Sequence, residues 1–135
     1  MNQIYPDVGL VPALQRIATP SVHVHLYQND VTPDRDTVLG DLTECAFTGY
    51  ATRDVPVADF TLTGVVAHVG GIQALPVANT NASGGAVTVY GYFITDETDA
   101  ILLAVARDDA APVSVPVGDP YLVVPILGTY SSLSS

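Results

Sequence analysis

Lysine and tryptophan are absent from this chain, and cysteine occurs once, at Cys45. A lone cysteine excludes an intramolecular disulfide, so packing must hold the fold; a small secreted domain would more often be cysteine-dense. Without lysine, positive charge rests on Arg16, Arg35, Arg53 and Arg107, against 14 acidic residues, for a net charge of −10. Phosphate neutralisation needs clustered Lys and Arg, so this balance argues against a nucleic-acid surface. It equally disfavours docking on an anionic membrane through a basic patch. No apolar run approaches the roughly 18 residues of a transmembrane helix. The opening Met1-Asn2-Gln3-Ile4-Tyr5-Pro6-Asp7 lacks the positive and apolar segments of a secretion signal. The expectation is a soluble protein made in a cytoplasm.

What is present points to β-structure. The 135 residues suit one domain, and 48% hydrophobic against 13% charged residues excludes a disordered acidic tail. Twelve of the acids are Asp and two are Glu, so the negative charge belongs to turns. Valine occurs 20 times and threonine 13 times, while 10 prolines and 11 glycines interrupt the chain at short intervals. Short β-branched segments between frequent turn signals predict an all-β fold, an antiparallel jelly-roll-like β-sandwich of about seven or eight strands. Residues 21–135 form the sandwich. Residues 1–20 form a helical arm, because Leu10, Leu14 and Ile17 fall at i, i+4 and i+7 after Pro6. Extended stretches are expected at Ser21–Gln28, Asp59–Val69, Ile72–Val77, Val87–Ile94, Ala100–Arg107, Val113–Val117 and Tyr121–Tyr130. Turns are expected at Gly70-Gly71, Asn79–Gly85 and Thr95–Asp99, and Asp41-Leu42-Thr43-Glu44 has the pattern of a single helical turn.

Several residues could carry chemistry. His23 and His25 project to one side of a strand, and two imidazoles so spaced can chelate zinc, iron or copper. Asp30 is the acid at comparable spacing, and His68 would have to supply a third ligand. Val22, Val24 and Leu26 claim the buried face, which leaves the histidines and Tyr27 on a wetter one without a metal. Asp30, Asp34 and Asp36, like Asp96, Glu97 and Asp99, lack the spacing of a calcium loop and read as solvated turns. Ser83 has no nucleophile elbow, and Cys45 sits in an apolar setting without a base, the mark of an inert thiol. Asn81-Ala82-Ser83 fits a glycosylation acceptor by pattern alone. Tyr27, Tyr50, Tyr90 and Tyr92 could form an exposed aromatic patch, but strand alternation favours their packing. The sequence therefore predicts no catalytic, cofactor-binding or metal residue, and no enzyme.

Two stretches resemble a family. His25-Leu26-Tyr27-Gln28-Asn29-Asp30-Val31-Thr32-Pro33, then Leu42-Thr43-Glu44 and Phe47-Thr48-Gly49-Tyr50, is similar to a pattern of small tailed-bacteriophage virion proteins. Val89-Tyr90-Gly91-Tyr92-Phe93-Ile94-Thr95-Asp96, with Leu102-Leu103 and Arg107, resembles that family's later segment. The pattern's tryptophan and a glutamate are missing before Arg107, and Cys45 stands where alanine is usual. The resemblance implies a virion structural protein. The leading expectation is a capsid cement or decoration protein on the capsid exterior, whose partners are the major capsid protein and further copies of itself, as dimer or trimer. Neither nucleic acid nor membrane is an expected partner. The other expectations are a tail, head-fibre or receptor-contacting module, and a cupin-like metalloenzyme using His23, His25 and His68.

Overall fold

The computed structural model describes residues 2–4, 21–66 and 69–131. Strands β1 (Asn2–Ile4), β2 (Ser21–Tyr27) and β3 (Arg53–Pro56) come first, then β4 (Thr61–Val66), β5 (Val69–Gln73), β6 (Val77–Thr80) and β7 (Val87–Val89). They are followed by β8 (Gly91–Asp96), β9 (Leu102–Arg107), β10 (Val113–Val115), β11 (Pro120–Val123) and β12 (Ile126–Ser131). The strand pairings are antiparallel. The largest sheet has the order β1-β9-β8-β2-β3; β12-β5-β4 makes a second, and β10-β7 and β11-β6 are two-stranded ladders. An all-β antiparallel fold is thus observed. The helix expected after Pro6 lies outside the described residues, while Asn2–Ile4, within the expected arm, pairs with β9 and forms one edge of the largest sheet.

The largest sheet is buried on both faces at its centre. On one face Val22, Val24 and Leu26 of β2 join Tyr92 and Ile94 of β8 and Ala104 and Ala106 of β9. Val89, Val115, Tyr121 and Val123, from the two-stranded ladders, and Ala74 complete this core from other strands. On the opposite face Tyr27, Phe93, Leu102 and Val105 cluster under Val31, Leu39 and Leu42 of the segment that follows β2. That segment corrects the expectation of a wet histidine face: His25 is 3% and Tyr27 0% exposed. Two near-continuous apolar runs, β8 and β9, are the sequence mark of strands covered on both sides.

Several local expectations change, among them Ile72–Val77, which breaks between Gln73 and Val77, and the turn expected from Asn79, which begins after Thr80 of β6. The Gly70-Gly71 pair lies inside β5 rather than in a turn, opposite Thr63 of β4 and Thr129 and Tyr130 of β12. Glycine extends as readily as it turns, so pairing on both sides decides its conformation. The expected strand Val87–Ile94 breaks between Val89 and Gly91, and Tyr121–Tyr130 breaks between Val123 and Ile126, next to Pro125. Gly91 has no substitute where it sits: a Cβ there would lie 2.1 Å from the Ala106 carbonyl oxygen and 2.8 Å from the Tyr27 ring. The helical turn falls at Leu39–Asp41, so Asp41 ends it instead of opening it. Asn29 accompanies the shift, accepting from Thr43 N at 2.8 Å and donating to Asp41 O at 2.8 Å, so that the chain leaves the turn extended at Leu42.

Candidate functional site

Antiparallel register gathers titratable side chains beside the β2–β8 pair. His23 and His25 point to the same side of β2, and β8 sets Thr95 opposite His23 and Phe93 opposite His25. The His25 ring stacks on Phe93 with centroids 4.5 Å apart and 5° between planes. Beyond Thr95 the chain turns toward β9. Asp96 closes that turn, its carboxylate accepting from Ala100 N at 3.0 Å, Ile101 N at 3.1 Å and Thr98 Oγ1 at 2.6 Å. Asp99 follows in the left-handed region at φ 60, a conformation that Asp tolerates better than most residues.

This turn returns Asp99 to the histidines. Its Oδ1 lies 2.7 Å from His23 Nδ1 and 3.2 Å from His25 Nε2. Thr95 Oγ1 is 2.9 Å from His25 Nε2 and 3.2 Å from Asp99 Oδ1. The far nitrogens of both rings also meet carboxylates: Asp54 Oδ1 at 3.3 Å from His23 Nε2, and Glu44 Oε2 at 2.7 Å from His25 Nδ1. Glu44 further accepts from Tyr50 Oη and, at 3.0 Å, from Thr52 Oγ1, while Ser21 Oγ donates to Asp54 at 2.8 Å. Tyr50 in turn accepts from Leu26 N at 3.1 Å, which ties the network to the backbone of β2.

The electrostatics follow from these contacts. Burial pushes the Glu44 carboxyl upward, but hydrogen bonds from Tyr50 and His25, the His25 charge and Thr52 outweigh it and hold Glu44 below its ordinary value. Asp99 likewise is raised by burial and lowered further by the His23 hydrogen bond and charge, with Thr95 and His25 adding to the fall. Burial and the Glu44 bond both push the Tyr50 phenol upward, so it stays protonated and donates.

The remaining candidates have structural partners. Asp30 lies toward the other end of β2, paired with Arg107 at 2.7 Å, so it is no companion to the histidines; His68 lies outside the described residues. Asp34 accepts from Asp36 N at 2.9 Å within its own loop. Cys45 is buried and its thiol is pushed up to about 12, first by burial and then by the Glu44 charge. Asn81 is 0% exposed and donates to Gly85 O at 2.8 Å and Val115 O at 2.9 Å, so a glycan cannot reach it in the folded chain. Tyr27 and Tyr92 are buried and Tyr50 and Tyr90 partly so, which removes the exposed aromatic patch.

Sequence reasoning put Asp99 in a solvated turn and did not connect it with His23 and His25. Together these three offer one nitrogen or oxygen donor each, all within 4.8 Å of one another. No family model matches this chain, no curated protein matches it, and no solved structure matches it.

Proposed function

We propose that the chain is a bacteriophage virion structural protein, a capsid cement or decoration protein that binds the outside of the major capsid protein shell. The observation that carries this reading is a set of exposed apolar side chains around the β6–β11 ladder. Leu122 on β11 is 63% exposed, Leu75 just before β6 is 83% exposed, and Val117 and Val124 flank β11 on either side. Leu75 also lines a groove with Asp54, Val55, Pro56, Ala74 and Val77. Large apolar side chains left exposed on and next to one ladder of an acidic protein favour a protein partner. A charge of −10 is repelled by packaged DNA, which favours the outer face of the shell.

The residues of the family resemblance support the same reading through their roles. Tyr27 donates to Val31 O at 3.2 Å, Asn29 fixes the 41–43 segment, and Tyr50 closes a turn with its N–H on Phe47 O at 3.0 Å. Gly49 takes a φ of 94 in that turn, where a Cβ would lie 2.3 Å from Thr80 O. These are residues a fold needs, which favours a scaffold role for this part of the likeness. A jelly-roll-like β-sandwich is the architecture we propose for it, assembling as a dimer or trimer at the shell's symmetry axes.

Quantitative mass spectrometry of purified virions tests the proposal. The expected result is a copy number comparable with that of the major capsid protein, and binding to empty shells that Leu75→Ser with Leu122→Ser abolishes. Recovery of the protein only in tail fractions, or unchanged shell binding by the double variant, overturns it.

A further inference from the structure

We propose that His23, His25 and Asp99 bind one divalent transition-metal ion of the zinc class. The donors are His23 Nδ1, His25 Nε2 and Asp99 Oδ1. The carboxylate oxygen lies 2.7 Å and 3.2 Å from the two nitrogens. Ligand atoms of a tetrahedral zinc with bonds of about 2.0–2.1 Å stand about 3.3 Å apart. All three donor atoms lie within 4.8 Å of one another, so an outward shift of the Asp99 side chain together with a closer approach of the two rings seats an ion between them.

A second and independent observation is what lies behind the rings. A ligating histidine characteristically gives its other N–H to a carboxylate, which sets the tautomer and the ring's aim. Both rings have that partner here: Glu44 behind His25 at 2.7 Å, and Asp54 behind His23 at 3.3 Å. Each of these carboxylates is itself held, Glu44 by Tyr50 and Thr52 and Asp54 by Ser21. With protons on His23 Nε2 and His25 Nδ1, the near lone pairs both face Asp99. Binding needs both His23 Nδ1 and His25 Nε2 as free lone pairs, so any proton held between either ring and Asp99 passes to solvent when the ion enters.

Donor chemistry selects the metal. Two imidazole nitrogens and one carboxylate suit zinc, cobalt or nickel, whereas calcium and magnesium demand more oxygens than this cluster offers. The Asp99 side chain is 53% and that of His23 22% exposed, so an ion can enter from solvent and keep water in its fourth position. His25, 4% exposed, supplies the rigid corner. The ion would tie β2 to the β8–β9 turn. The site is independent of the capsid reading and survives its failure.

The test uses the full chain, stripped with a chelator and titrated with Co2+. The expected result is saturable binding of one ion per chain with visible d–d absorption, displaced by Zn2+, and a rise in Tm on loading with either. Calcium at the same concentration gives neither signal. His25→Ala risks unfolding, so the decisive variants are His23→Gln and Asp99→Asn, each checked for folding by circular dichroism. Each should weaken Co2+ binding at least tenfold, and Glu44→Gln, which meets His25 on the side away from Asp99, should weaken it by about 10–100-fold. No saturable Co2+ binding by the folded wild-type chain overturns the proposal. So does wild-type affinity in either His23→Gln or Asp99→Asn.

Discussion

The two faces of the five-stranded sheet are both buried, yet they are held by different physics. On the Val22–Val24–Leu26 face, contacts are apolar and non-directional, and stability follows area and volume. On the opposite face, Tyr27, Phe93 and Val105 pack in the same manner at one end, but His25 and Thr95 at the other depend on hydrogen bonds to Glu44 and Asp99. One strand thus carries an interchangeable side and a specified side. A buried polar group that loses its partner forfeits its desolvation cost in full, whereas an apolar group leaves only a void.

The comparison is most directly broken on the apolar side. Ile94→Ala removes a 0% exposed side chain between β2 and β9 and should cost about 2–5 kcal/mol, read from urea unfolding. Gly91→Ala should cost about 1–3 kcal/mol or more, because the new Cβ meets backbone at Ala106 that cannot rotate away; a neutral result would mean that β8 and β9 are not so closely apposed. On the polar side, Glu44→Gln weakens the charge-assisted bond to His25 and should cost about 1–2 kcal/mol, with the His25 imidazole resonances moving in NMR spectra.

Acid sharpens the contrast between the faces. Glu44 and Asp99 are held below their ordinary values of 4.5 and 3.8, so the stability they add is fully present above those values. It is lost as pH falls through the lower folded-state values, and Glu44→Gln should flatten part of that acid dependence while Ile94→Ala leaves its shape unchanged. The smallest effect belongs to the surface pair at the far end: Asp30→Asn should change stability by less than about 1 kcal/mol, since the Asp30 side chain is 72% exposed. A larger loss there would place buried polar specificity at both ends of the face.

Much of the β-structure could be read from residue patterns. Strict alternation marked Ser21–Gln28, where β2 covers Ser21–Tyr27, because side-chain period follows directly from backbone geometry, and the expected stretches Val87–Ile94 and Ala100–Arg107 overlap β8 and β9. Glycine-rich stretches were misread where partners decided: Gly70-Gly71 extends because strands pair on both sides of it. Tyr27 and His25 were assigned to a wet face because alternation tells which residues share a side but not whether another segment covers it. Val31, Leu39 and Leu42, arriving from the following loop, supply that cover.

The amino-acid order alone determined an acidic, disulfide-free, antiparallel β-protein and the pairing of His23 with His25 on one side of a strand. Those features depend on composition and on contacts two residues apart. Asp99 joins the histidines across 76 positions only through the β2–β8 register and the turn that Asp96 closes. Local sequence cannot encode that meeting, because a one-residue slip in register would send the same side chains to opposite faces. Burial on both sides of the sheet selects the register, and the register brings the three donors together.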